Sequence, residues 1–272
     1  MVARSILRGQ RYAALNFCSF IRGTLGWLHH VHLWPSIRLI GPTGTVLAFN
    51  QRGVVFRTVQ NSLVFQWVGM PSFSSVNGIP VVSLDGATQG ALSPDNAYWS
   101  PGDSHNDSAF SVVVWVRPVN WGGNLFGKYE LSGPRGREWL LQVESSDTVI
   151  GVVRDHSTNG VIKPRWIGLP PLNQWHMLAF TYDGSKNMLG MRLWHNAQPV
   201  DNALTQHGNY IAMENTPSPV YLGYSMIDGD RARFFEGELA GGRCGPIFTK
   251  VELNQSQLQS LYELCRKPLN GQ

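Results

Sequence analysis

Apolar and polar positions alternate with a period of two through most of the chain beyond residue 80. In NQWHMLAFTYDGS, residues 173–185, Met177, Ala179 and Thr181 interleave with Leu178, Phe180 and Tyr182 before Asp183-Gly184-Ser185. That pattern predicts a strand running into a turn, because glycine takes the positive φ that tight turns require. FSVVVWVRP, residues 110–118, is a nearly continuous apolar run ended by proline, which suits a strand buried on both faces. NLFGKYE, WLLQVES, TVIGVVRD, MLGMRLWHN, PVYLGYSM and RFFEGELAG continue the series, with Gly, Asn, Asp and Ser between them. VELNQSQLQSLYELCRK breaks the pattern. There Leu258, Leu261, Tyr262 and Cys265 recur at i, i+3, i+4 and i+7, predicting a helix with one apolar face, capped by Asn254 or Ser256. The expected architecture is all-β: an antiparallel two-sheet jelly-roll sandwich with one short C-terminal helix.

Composition agrees with this. Of 272 residues 43% are hydrophobic and 15% charged, enough for a sizeable core, and 29 Gly, 16 Pro and 10 Trp suit a turn-rich β protein. No uninterrupted apolar run reaches the ~18 residues of a transmembrane helix. Arg22 and its polar neighbours interrupt any secretory h-region near the start. The net charge of +4 conceals an asymmetry. Seven Arg (4, 8, 11, 22, 38, 52 and 57) precede Asp85, and no Asp or Glu does; the remainder carries 15 basic and 18 acidic residues. The shift in composition places a boundary within SFSSVNGIP, giving a basic segment 1–78, a β domain 79–266 and a tail 267–272. Arg4, Arg8, Arg11 and Arg22 fall on one side of a helical wheel with Ile6, Phe17, Phe20, Ile21 and Leu28 opposite, although Gly9, Gly23 and Gly26 weaken such a helix. A tether, a targeting element and an extension not shaped by folding all fit this acid-free segment, and its basic face could contact an acidic surface.

SLDGATQGALSPDNAYWSPGDSHNDSAFSVVVWVRP, LPPLNQWHMLAFTYDGS, NTPSPVYLGYS, RFFEGELAGG and ELNQSQLQSLYEL stand in an order that resembles a laminin-G-like domain of the concanavalin A-like lectin/glucanase superfamily, over about residues 79–266. The resemblance implies that Trp175 and His176 are structural, opening a central strand. It is a weak guide to function, because one fold hosts lectins, hydrolases and adhesion modules. Hydrolases of this fold use paired carboxylates along one strand. The Glu-x-Asp-x-Glu pattern is absent, and Glu236-Gly-Glu238 reads as a solvated strand face. The expected function is therefore a non-catalytic recognition module for glycans or a surface partner on a cell envelope or virion. A glycan-active hydrolase or lyase and a structural decoration domain are the alternatives. An extracellular, cell-surface or virion-associated location goes with the first reading.

Sugar faces stack on aromatic rings, so Trp99, Trp121, Tyr129, Trp166 and Tyr210, in or beside polar loops, are the candidate platforms, whereas Trp115 and Trp194 belong to the core. The Asp-rich loops suit a hard cation, with Asp85, Asp103 and Asp107 as candidate ligands for a weak structural Ca²⁺. The resemblance implies a second acidic element after a late strand, where this chain has Leu239-Ala240-Gly241. His29, His30 and His32 have no partner ligands at zinc spacing. Cys18, Cys244 and Cys265 form no framework. Cys244 and Cys265 are read as two buried free thiols, with a bridge between them as the alternative.

Overall fold

The computed structural model describes residues 64–271 except 133, 134 and 146, and, by backbone alone, five short strands between residues 30 and 55. Those five are β1 (His30–Leu33), β2 (Ile37–Ile40), β3 (Gly44–Val46), β4 (Ala48–Asn50) and β5 (Gly53–Val55). They are followed by β6 (Val64–Val68), β7 (Ser72–Val76), β8 (Ile79–Asp85), β9 (Gly90–Ser93), β10 (Phe110–Pro118) and β11 (Gly123–Tyr129). Next come β12 (Arg137–Ser145), β13 (Thr148–Arg154), β14 (Val161–Ile167), β15 (His176–Tyr182), β16 (Met191–His195) and β17 (Gln198–Pro199). The series closes with β18 (Ala203–His207), β19 (Val220–Leu222), β20 (Ser225–Ile227), β21 (Asp230–Ala232), β22 (Glu236–Ala240), β23 (Ile247–Thr249) and the helix α1 (Gln255–Asn270).

Two large antiparallel sheets face one another. The first is ordered β1-β2-β3-β23-β10-β15-β16-β17, with β22 joining β10 to β8 and β7 beyond β8; the second is ordered β18-β14-β13-β12-β11-β19-β9-β6-β5-β4. Between them lies a core containing Val112, Val114 and Val116 of β10, Phe126, Trp139, Leu178 and Phe180. The alternate residues of β10, Val113 and Trp115, point the other way and pack beneath α1 with Leu258, Leu261 and Cys265. This is why β10 reads as an unbroken apolar run: the second sheet covers one face and the helix the other.

The helix begins at Asn254, whose side chain accepts from Gln257 N while the Gln257 side chain accepts from Asn254 N, a capping box. It extends beyond the tail boundary expected at 267, through Asn270, with Leu269 buried. The boundary expected at 79 also moves. β6 pairs with β9 and β7 with β8, and Phe65 packs in the central core against Trp99. Val64–Val68 is therefore a strand of the second sheet, between β9 and β5, and its Phe65 is buried between the two sheets. The reading of residues 4–28 as a basic helix or tether, and that of His29, His30 and His32 as lacking partner ligands at zinc spacing, lie outside the described side chains. The cysteine reading is corrected: Cys244 and Cys265 form a disulfide, with Cα atoms 5.7 Å apart. Cys265 lies on the helix stripe, and docking that stripe on the sheet carries it to the turn Gly242–Cys244.

Candidate ligand-binding groove

A cavity of ≈ 580 Å³ lies between the C-terminal half of α1 and the adjoining ends of first-sheet strands. Its walls include Arg117 at the end of β10, Trp175 and His176 at the start of β15, and Tyr262 and Arg266 on the helix. Asn173, Gln174, Asn196 and Asn270 add amides, and no described Asp or Glu lines it. The Tyr262 ring stacks on Trp115, with planes 3° apart and centroids separated by 5.6 Å, so the helix wall is set by aromatic packing. One turn further on, the Arg266 guanidinium lies 6.0 Å from the Tyr262 ring centre and bonds Glu263 through Nε at 2.5 Å.

Arg117 is held from two sides. Its Nη1 pairs with Glu238 at 2.9 Å and its Nε donates to the Asn173 carbonyl at 3.1 Å, which leaves Nη2 uncommitted. Gly237 makes this approach possible: it sits at φ +145°, and a Cβ there would lie 2.5 Å from the Arg117 carbonyl oxygen. A smaller cavity of ≈ 150 Å³ on the other side of Arg117 is lined by Ser83, Leu84, Val119 and Glu238 among others.

His176 continues inward from the groove. Its Nε2 lies 2.8 Å from the Pro171 carbonyl and its Nδ1 3.1 Å from His195 Nε2. Since a carbonyl only accepts, His176 must carry its proton on Nε2 and accept at Nδ1 from His195. Both rings are neutral in this chain of bonds. Burial lowers the pKa of His176; burial, followed by the His176 charge, lowers that of His195 to about 4.

The five aromatic candidates do not gather here. Trp99 is fully buried among Phe65, Phe126 and Phe248, and its carbonyl accepts from Trp139 Nε1 at 2.7 Å. Trp121 is buried with its Nε1 on the Pro170 carbonyl, Tyr129 packs with Leu140 and Ile150, and Tyr210 donates to Asp107. None of these four presents a ring face to solvent. Trp166 is half-buried and stacked on His195 at 5.0 Å. Trp115 is in the core as expected, and Trp194 packs half-buried against the same cluster. Sequence reasoning noticed Trp175 and His176, but as fold markers only; Arg117 and Arg266 carried no local signal.

The calcium candidates do not converge either. Slight burial raises the Asp85 carboxyl, but bonds from Thr88, Ala87 and Gln89 outweigh it and hold the pKa at about 2. Its Oδ1 takes three backbone N–H groups and Oδ2 the Thr88 hydroxyl. Asp103 accepts from His105 N and Asn106 N. Asp107 turns inward to Tyr182, Tyr210 and Met213 N, and burial raises its pKa. Among the described residues no three His, Cys, Asp or Glu side chains form a metal-binding group. A cation needs several oxygens free to converge on it, and this donor set does not fit one. Of the two strand carboxylates, Glu238 bonds Arg117, whereas Glu236 stands across the β22–β8 ladder from another acid, Asp85.

Residues 85–243 match the family Laminin_G_3, described as the concanavalin A-like lectin/glucanases superfamily, and the chain belongs to it. Its fold is shared with solved receptor-binding domains of botulinum neurotoxins. One, from a study titled "Cell entry of botulinum neurotoxin type C is dependent upon interaction with two ganglioside molecules", is 12% identical with a TM-score of 0.58, over 82% of this chain and 51% of the other. A neurotoxin DC binding domain in complex with SialylT is 11% identical with a TM-score of 0.56, over 81% and 50%. The same domain type in complex with rat synaptotagmin II is 12% identical with a TM-score of 0.56, over 81% and 51%. The chain thus spans about half the length of these structures. No curated protein sequence matched it.

Proposed function

We propose that this protein is a non-catalytic recognition module that binds a glycan or a surface partner on a cell envelope or virion, with the groove beside α1 as its contact site. The observation that carries this reading is the groove's chemistry: two guanidinium groups and four amides around ≈ 580 Å³, beside the half-buried Tyr262 ring, with no described carboxylate. Amides and guanidinium groups match hydroxyl and carbonyl acceptors, and rings match the C–H faces of sugars. Glycoside cleavage would need two carboxyl groups about 5–9.5 Å apart across the bond, and the groove lining supplies none. The Cys244–Cys265 disulfide favours an oxidising location outside the cytosol. No described helix is long and apolar enough to cross a membrane. The neurotoxin relatives, with their ganglioside, SialylT and synaptotagmin partners, fit a binding role for the fold.

A glycan array run beside a reducing-sugar release assay tests the proposal. Binding without sugar release is expected, weakened roughly tenfold or more in Arg117→Gln and Arg266→Gln through loss of charge-assisted bonds. Sugar release, or binding that both variants leave unchanged, would overturn it.

A further inference from the structure

Two arginines on the second sheet share one neutral acceptor. Arg137 opens β12 and Arg154 ends β13, and each donates Nη2–H to Asn159 Oδ1 at 2.7 Å. Asn159 sits in the β13–β14 connection at φ +62°, in the left-handed region that asparagine tolerates better than most residues. An amide oxygen can accept both bonds, but it cannot neutralise two positive charges.

No carboxylate does so instead. All 18 Asp and Glu side chains lie among the described residues, and the ion pairs engage other cations: Arg117, Lys128, Lys163, Arg165, Arg192 and Arg266. Glu214 is the acid that acts on Arg137, yet it forms no ion pair with it. Its two oxygens are spent on His156 N at 2.7 Å and Ser157 N at 2.9 Å. Arg154 Nη1 reaches only the Tyr129 hydroxyl, at a long 3.4 Å, and Arg154 Nε is buried with no partner. Burial, then the charge of Arg154, lowers the Arg137 pKa, as expected for like charges brought together. Arg137 and Arg154 are half-buried and Asn159 is exposed, so a ligand can reach them.

We propose that Arg137 and Arg154, held in register by Asn159, form an oxyanion-binding site that takes the carboxylate or sulfate of an acidic glycan. Guanidinium forks bind such groups through paired, charge-assisted hydrogen bonds. An incoming oxyanion supplies the countercharge that Asn159 cannot. The glycan carrier rests on the recognition function proposed above; the anion chemistry does not. The site belongs to the second sheet, whereas the groove lies between the first sheet and the helix.

The test is a titration of the 15N-labelled full chain with sodium sulfate against sodium chloride at equal ionic strength, following arginine Nε–Hε resonances. Resonances assigned by their loss in Arg137→Gln and Arg154→Gln should move saturably with sulfate and not with chloride. The surviving resonance in each variant should show affinity reduced roughly tenfold. Arg117→Gln and Arg266→Gln should leave the response intact, which separates this site from the groove. Unmoved resonances, or equal linear drift in both salts, would overturn the site; if Arg154→Gln does not fold, Arg137→Gln decides. A sulfated disaccharide should bind more tightly than inorganic sulfate while its unsulfated parent leaves these resonances still. Equal affinity of the sulfated disaccharide and sulfate would overturn the glycan carrier.

Discussion

The Lys128 ammonium and the Glu138 carboxylate lie 2.5 Å apart, and neither side chain has exposed surface. Lys128 also meets Asp95 and Ser100 Oγ, while Glu138 accepts from the backbone and hydroxyl of Thr216. The pair ties two loops to adjacent strands. Lys128→Met leaves Glu138 buried without its cation and should cost about 3–5 kcal/mol, the usual penalty for orphaning one partner. Urea unfolding measures it, and a loss below about 1 kcal/mol would mean water reaches Glu138.

The two histidines should make stability fall with acid. Both bind a proton less readily folded than unfolded, where the ordinary pKa is 6.5; the folded value for His195 is about 4. The unfolded chain therefore holds more protons between these values, so their contribution is present above pH 6.5 and is lost as pH falls towards 4. Allowing for solvent screening of the half-exposed His195, the loss is about 1 kcal/mol. Melting temperatures between pH 7 and 4.5 should fall, and His195→Gln should flatten the slope; parallel curves for both proteins would contradict the assignment.

Reduction should loosen the helix. The Cys244–Cys265 bridge closes a segment with a sequence separation of 21, and the chain-entropy relation gives about 3 kcal/mol for a loop of that size. Cys265→Ser should lower stability by about that amount, and dithiothreitol should have no further effect on the variant. A melting temperature insensitive to both treatments would mean that the thiols do not pair.

Calcium should have no effect on melting. Asp85, Asp103 and Asp107 spend their oxygens on separate sets of N–H and O–H donors, so EGTA and excess Ca²⁺ should give the same midpoint. A ligand saturated to 100 times its dissociation constant would stabilise the fold by about 2.7 kcal/mol, which a scan would detect readily.

Phe65 tests where the sandwich begins. Its ring is buried against Trp99 and Phe126 in the central core, so Phe65→Ala should cost about 3–5 kcal/mol. A chain starting at residue 79 should fail to give a cooperative transition. A sharp, unshifted transition from that shorter chain would restore the boundary expected from composition.

The strands were legible because their side chains face a sheet partner or a helix at every second position, and β10 announced both coverings in one run. The helix was legible from Leu258, Leu261 and Cys265. The groove was not, because Arg117 and Arg266 are far apart in the chain and meet only when α1 docks. The aromatic candidates misled for a different reason. Polar neighbours reveal that the backbone around Trp99 or Tyr210 runs near the surface, but not which way the ring points. Burying a large ring is favourable enough to turn it inward wherever its polar atom finds a partner, as the Tyr210 hydroxyl does on Asp107. The disulfide was missed because two cysteines at this spacing specify no geometry until the helix is placed.

The ladder between β8 and β22 sets Asp85 opposite Glu236 and Val81 opposite Ala240. These partners enclose most of the domain, so the first sheet is not complete until a very long loop has closed. Such closure comes before the contacts that reward it, which makes refolding slow, on the order of milliseconds to seconds for β topologies of this kind. During that interval β10 lacks the β22 neighbour that pairs with Val116–Pro118, and its other face stays open until α1 docks. An emerging or refolding chain therefore leaves part of a strongly apolar strand open until its late partners arrive, and FSVVVWVRP is a segment at which aggregation competes with folding.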